Sequence, residues 1–184
     1  MRTFVAIDLE PELKRVLEDL IRKLKRTGAD VRWSGAEGMH LTLKFLGEVE
    51  PAAVPLVEQT VGAAASKHSR FPLTLRGSGT FPPGRSPRVL WVGIAEVSPL
   101  IDLQKAVEAG LDGVGYPPET RPFHPHLTLA RVRGGARIQE AVTELETYRE
   151  TVFGEMTVRK ITLFQSLLKP LGAEYKVVRE FELG

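Results

Sequence analysis

The chain has 184 residues, 42% of them hydrophobic, enough to bury one sizeable core or two small lobes. With 25 basic against 23 acidic residues its net charge is +2, too balanced for a surface that coats long nucleic acid, and the lack of cysteine excludes disulfides and thiolate metal sites. No apolar run could span a bilayer, and the opening run meets Asp8 too early for a signal-peptide core, so a cytoplasmic protein with no membrane partner is expected.

The pattern begins with a short apolar strand over residues 3–7. A helix follows, its stripe formed by Leu13, Val16, Leu17, Leu20, Ile21 and Leu24, with Gly28 placed to stop it. Residues 31–33 read as a short strand and 39–46 as a longer one. Pro51 suits the first turn of a second helix carrying Val54, Val57 and Val61. Residues 71–75 form another strand, and the Gly- and Pro-rich stretch 77–88 reads as a loop. A strand over 89–94 precedes Ser98-Pro99, which reads as an N-cap and first helical residue. The helix they open carries Leu100, Leu103, Val107 and Leu111. A second turn-rich loop spans 113–125. Another strand starts at His126, and a helix follows around Ile138, Ala141, Val142 and Leu145. Two strand-like runs, 156–164 and 175–183, close the chain.

Two of these strands open on the same tetrapeptide. His40-Leu41-Thr42-Leu43 and His126-Leu127-Thr128-Leu129 use two of the four histidines in the sequence. On a strand, residues i and i+2 share a face and lie roughly 7 Å apart. Histidine and threonine therefore share one face, and the leucines share the other. The leucine faces require a core. The opposite faces are free for chemistry, and packing gives no reason to put imidazole and hydroxyl there twice. Two such faces brought together would surround one cleft with two imidazoles and two hydroxyls.

The duplication extends beyond the motif. Strand, helix, motif strand, helix, strand describes residues 3–75 and again 90–164, at an offset of 86 to 88 residues. A repeat of this length is a duplicated half-unit rather than a solenoid repeat. The expected architecture is α+β: a single catalytic domain over 1–184 with two pseudo-symmetric lobes. Each lobe would be a mainly antiparallel sheet backed by helices on its leucine face, with the cleft between them. The loops at 77–88 and 113–125 would border that cleft. Phe81 and Phe123 in them suit either stacking on a base or plugging the lobe junction.

Histidine can act as acid or base near neutral pH. Two imidazoles flanking a phosphate, one neutral and one charged, can deprotonate a nucleophile on one side and protonate a leaving oxygen on the other. Thr42 and Thr128 can donate hydrogen bonds to the non-bridging oxygens, where charge builds up. His124-Pro125-His126 invites a metal reading, but no carboxylate or cysteine stands beside it, so no metal site is expected. His68, beside Lys67 and Arg70, reads as a surface residue.

The two His-x-Thr-x motifs, in a chain of this size, resemble those of the two-histidine phosphoesterase superfamily. The opening Arg2-Thr3-Phe4-Val5-Ala6-Ile7, the extended motifs His40-Leu41-Thr42-Leu43-Lys44-Phe45-Leu46-Gly47 and His126-Leu127-Thr128-Leu129-Ala130-Arg131, Pro87-Arg88-Val89-Leu90-Trp91 and Leu163-Phe164-Gln165-Ser166 look like the RNA 2′,3′-cyclic phosphodiesterases, also known as 2′-5′ RNA ligases. This resemblance implies a cofactor-free, metal-independent enzyme that opens 2′,3′-cyclic phosphate ends of RNA, tRNA fragments among them, to 2′-phosphomonoesters. It implies His40 as proton donor and His126 as proton acceptor; local sequence does not distinguish the two. A 5′-hydroxyl RNA end in place of water would make the same site a 2′-5′ ligase, and a non-catalytic RNA-binding module is a third reading. The expected protein is a monomer with no obligate protein partner.

The resemblance also implies a substrate-binding role for Arg131. Strict alternation puts Arg131 on the face opposite His126. Either a bulge re-aims it toward the cleft or it supports the site from behind. Arg131, Arg133 and Arg137 form a basic patch that suits RNA phosphates or a solvated loop.

Overall fold

The computed structural model describes residues 1–184, and its strands fall into two antiparallel sheets. In chain order the elements are β1 (Arg2–Asp8), α1 (Pro11–Lys25), β2 (Val31–Trp33), β3 (His40–Glu48), α2 (Val54–Ser66), β4 (Phe71–Phe81), β5 (Val89–Ala95), α3 (Ser98–Asp112), β6 (His126–Val132), α4 (Ile138–Glu146), β7 (Val152–Val158), β8 (Lys160–Lys169) and β9 (Gly172–Glu182). One sheet has the order β3-β1-β8-β9 and the other β2-β6-β5-β4-β7. This is the expected two-lobed α+β architecture. No helix is long and apolar enough to cross a membrane.

The helices lie on the leucine faces. Leu41 and Leu43 of β3 and Leu127 and Leu129 of β6 are all at most 3% exposed, within one apolar core that continues beneath both sheets. In α1, Leu13, Leu17, Leu20, Ile21 and Leu24 are buried, as a stripe at helical spacing requires. Val16, at the edge of that stripe, is exposed.

The lobes do not coincide with the two repeat units. Units 3–75 and 90–164 exchange their last strands: β4 of the first pairs with β5 of the second, and β8 of the second pairs with β1 of the first. The first helices cross as well. Helix α1 leaves β1 and packs against α4 and β7 of the other lobe, while α3 leaves β5 and packs against α2 and β3.

Three expectations are corrected. Residues 77–81 are not loop but the second half of β4, which continues to Phe81. The glycines that suggested a loop serve the strand: a register irregularity separates Leu75 from Ser78, Gly77 has φ +79, and a Cβ at Gly79 would lie 2.3 Å from the indole of Trp91. The run 156–164 is two strands in two sheets, because the chain passes between lobes at Arg159. Ser98 is the first helical residue of α3 rather than its cap, and Val97 occupies the N-cap position.

Candidate active site

Strands β3 and β6 approach each other where the two sheets meet. His40 and Thr42 lie opposite the buried leucines of β3, and His126 and Thr128 lie opposite those of β6. The two His–Thr pairs therefore lie on the non-leucine faces of two strands that touch each other.

Each motif ends in the same backbone irregularity. Ala6 pairs with Thr42 but Val5 pairs with Lys44, so the ladder slips at Leu43. Trp91 pairs with Thr128 but Leu90 pairs with Ala130, so it slips at Leu129. An extra residue shifts every later side chain to the other face. Lys44 and Ala130 consequently turn into the core, at 2% and 0% exposed, while Phe45 and Arg131 return to the His–Thr face. Of the two alternatives for Arg131, the bulge is the one realised.

The two histidines sit in different surroundings. The His40 ring stacks on Phe4 at 4.9 Å and on Phe164 at 5.2 Å between centroids, and meets Tyr175 edge-on at 4.8 Å. This apolar cage pushes its pKa down to about 4, chiefly by desolvation. The carboxylate of Asp8 and the backbone carbonyl of Glu37 favour the charged form, and Lys14 opposes them. Asp8 is the cross-strand partner of His40 and forms a 2.7 Å ion pair with Lys14.

His126 has a single aromatic neighbour in close contact, Phe81, edge-on at 5.0 Å. Its Nδ1 lies 2.6 Å from the carbonyl oxygen of His124. That contact fixes the neutral ring with hydrogen on Nδ1 and a lone pair on Nε2. Burial lowers its pKa, the His124 carbonyl raises it, and the charges of Arg131 and His124 lower it further.

A buried ion pair links the motif strand β3 to the approach to β6. Lys44 Nζ lies 3.3 Å from Glu108 on α3 and donates to the carbonyl of Pro117, while Glu108 accepts from the backbone N–H of Glu119 at 3.3 Å. The segment 117–119 leads toward His124 and His126, so Lys44 ties the strand bearing one histidine to the chain entering the other. Phe123 packs partly buried against the core, which favours the plugging alternative for it. Phe81 rests on Trp91 at 5.1 Å as well as on His126. No group of three or more His, Asp or Glu side chains is placed to hold a metal ion.

The residues that sequence reasoning missed are Phe4, Asp8, Phe164 and Tyr175, which surround His40 from three other strands, and the buried pair Lys44–Glu108. The signal for Phe4 was its parity with Ala6 and Asp8 on β1. It is hidden because residues 3–7 are all buried.

The chain as a whole is similar to known proteins. A family model described as the 2′-5′ RNA ligase superfamily matches residues 13–169. The RNA 2′,3′-cyclic phosphodiesterase of Methanothermobacter thermautotrophicus is 32% identical, with 100% of this chain and 99% of that protein covered. The one from Aeropyrum pernix is 36% identical, with 85% and 89% covered. A crystal structure of a Thermus thermophilus protein superposes with TM-score 0.85 at 29% identity, covering 100% of this chain and 98% of that one. Escherichia coli LigT complexed with 3′-AMP superposes with TM-score 0.78 at 26% identity, covering 99% and 97%.

Proposed function

Because this chain belongs to the 2′-5′ RNA ligase superfamily, we propose that it is an RNA 2′,3′-cyclic phosphodiesterase, hydrolysing cyclic ends to 2′-phosphomonoesters with paired histidines and no metal. The observation that supports this reading is that the two motif strands, each carrying its His and Thr on the face opposite its leucines, come into contact where the two sheets meet.

In this mechanism His126 is the proton acceptor. With hydrogen on Nδ1 directed at the His124 carbonyl, its Nε2 is free to take a proton from water. The water oxygen attacks phosphorus in line, the bond from phosphorus to the 3′ oxygen breaks, and His40 delivers its proton to that oxygen. One P–O bond forms and one breaks. The proton count closes when His126 later releases its proton and His40 regains one. Thr42 and Thr128 donate to the non-bridging oxygens, and Arg131 supplies positive charge on the same face.

His40 must enter the reaction charged, although its aromatic cage keeps it neutral at pH 7. Binding of an anionic phosphodiester adds the opposite charge that the cage lacks and raises the pKa. The enzyme thereby acquires its acid together with its substrate. The proposed setting is the cytoplasm, where the protein acts as a monomer on RNA ends.

The test is incubation with an RNA ending in a 2′,3′-cyclic phosphate, in EDTA, with and without a 5′-hydroxyl RNA. Phosphorus NMR should show a 2′-monoester. A 3′-monoester, or activity that disappears in EDTA and returns with added metal, would overturn the reading. If a 5′-hydroxyl replaces water in the same geometry, the joined strand must carry a 2′-5′ linkage.

A further inference from the structure

Arg131 has a neighbour that no part of the mechanism uses. On the short strand β2, Arg32 is the direct cross-strand partner of Arg131. Its flanking residue Val31 is buried in the core, so Arg32 projects from the other face, the one that carries His126, Thr128 and Arg131. Both arginines are exposed. Directly opposed side chains on antiparallel strands have Cβ atoms about 4.5–5.5 Å apart, and like charges so placed destabilise a sheet.

Nothing in the protein offsets this pair. All the ion pairs of the chain involve other residues, and neither guanidinium donates to an internal hydrogen-bond acceptor. Arg32 also extends toward the opposite lobe. A Cβ built on Gly172, at the start of β9, would lie 3.5 Å from its Nη2. The two guanidiniums thus form a short cationic step on the His126 side of the junction, with one end reaching the β8–β9 turn.

We infer that Arg32, together with Arg131, forms a second anion subsite that takes the 5′-phosphate of the terminal nucleotide, the phosphate preceding the cyclic end. The inference rests on the phosphodiesterase reading. A cyclic phosphate terminates its strand, so all the remaining RNA lies on the 5′ side, and the first anion met there is this phosphate. Arginine suits the task because its planar fork can bind two phosphate oxygens at once. The subsite would make Arg32 a specificity-determining residue, favouring RNA ends over nucleosides that carry only the cyclic phosphate.

The experiment compares two small substrates that differ by one group, adenosine 2′,3′-cyclic phosphate with a 5′-hydroxyl and the same compound with a 5′-phosphate. The wild-type kcat/KM should favour the phosphorylated substrate by about tenfold or more, the range expected for one hydrogen-bonded charged contact. Arg32→Met should bring that ratio toward one, and Arg32→Lys should keep part of it. Raising the salt concentration should shrink the wild-type ratio and leave that of Arg32→Met nearly flat. A wild-type ratio near one would overturn the inference. So would an Arg32→Met protein that slows both substrates equally and keeps the ratio. Binding of adenosine 2′,5′-bisphosphate against adenosine 2′-phosphate, by calorimetry, separates this claim from the reaction itself. An affinity ratio that collapses in Arg32→Met, in a protein that turns over neither substrate, would sustain the subsite and sink the phosphodiesterase reading. Equal affinities in the wild type would sink the subsite whatever the activity.

Discussion

The two motif strands repeat four residues identically and then diverge, and the divergence separates the two halves of the site. After the bulge the inward position is Lys44 on β3 and Ala130 on β6, and the outward position is Phe45 on β3 and Arg131 on β6. Around His40 the junction is aromatic and apolar; around His126 it is hydrogen-bonded and cationic. A duplicated scaffold thus delivers the same imidazole and hydroxyl twice, while the neighbours decide how readily each imidazole holds a proton.

The largest effect should come from the histidines. His40→Ala and His126→Ala should each lower turnover by about 10² to 10⁴, and the double variant should be little worse than the worse single. The cages should differ in stability. His126→Ala should leave the Tm nearly unchanged, whereas His40→Ala removes a ring packed against Phe4, Phe164 and Tyr175 and should lower it. Additive losses in the double variant, measured by single-turnover kinetics, would mean the histidines do not work as a pair.

Next is the inward pair. Lys44→Met leaves Glu108 charged and without its partner in a buried site, which should cost about 3–5 kcal/mol of stability. Lys44→Met with Glu108→Leu should recover much of this loss. Urea unfolding of the single and double variants decides it. A double variant as unstable as the single would show that the backbone contacts to Pro117 and Glu119 dominate.

The outward pair should be smaller. Arg131→Ala should lower kcat/KM by roughly 10- to 100-fold through loss of a charged contact. Phe45→Ala, at the matching position, should lower it by less than the Arg131 change. Equal losses would erase the asymmetry drawn between the lobes.

The smallest effect is on acid stability. His40 in the unfolded chain takes up its proton near pH 6.5, and in the fold only near pH 4. Between those values the unfolded state binds more protons, so stability falls as pH drops through the window. His40→Gln should flatten that part of the curve. On the kinetic side, the alkaline limb of kcat should lie at higher pH than that of kcat/KM, because bound phosphodiester raises the pKa of the acid. Coincident limbs would argue against proton uptake with substrate.

The residues that alternate cleanly were legible in advance. His40, Thr42, His126 and Thr128 announce their face because leucines occupy the other, and α1 and α3 announce themselves by spacing. What stayed hidden depends on partners. A bulge at Leu43 or Leu129 is a mismatch with β1 or β5, and one strand read alone cannot show it. The aromatic cage draws its rings from β1, β8 and β9, and residues 4–7 are so uniformly apolar that parity is lost. Gly77 and Gly79 look like turn residues until the left-handed backbone of Gly77 beside the Arg149 carbonyl and the indole of Trp91 over Gly79 are seen.

The exchange of β4 and β8 between sheets has a consequence for the history and the handling of the chain. A fragment holding only residues 3–75 contains β1 and β3 but lacks the neighbour that β1 requires on its other edge, while its own β4 is left without β5. Two such fragments can satisfy each other, each lending its last strand to the other's sheet in a closed two-fold pair. The single chain is then the covalent equivalent of a domain-swapped dimer. Its lobe junction corresponds to the interface of such a pair, and a cut between the units should release no lobe that folds alone.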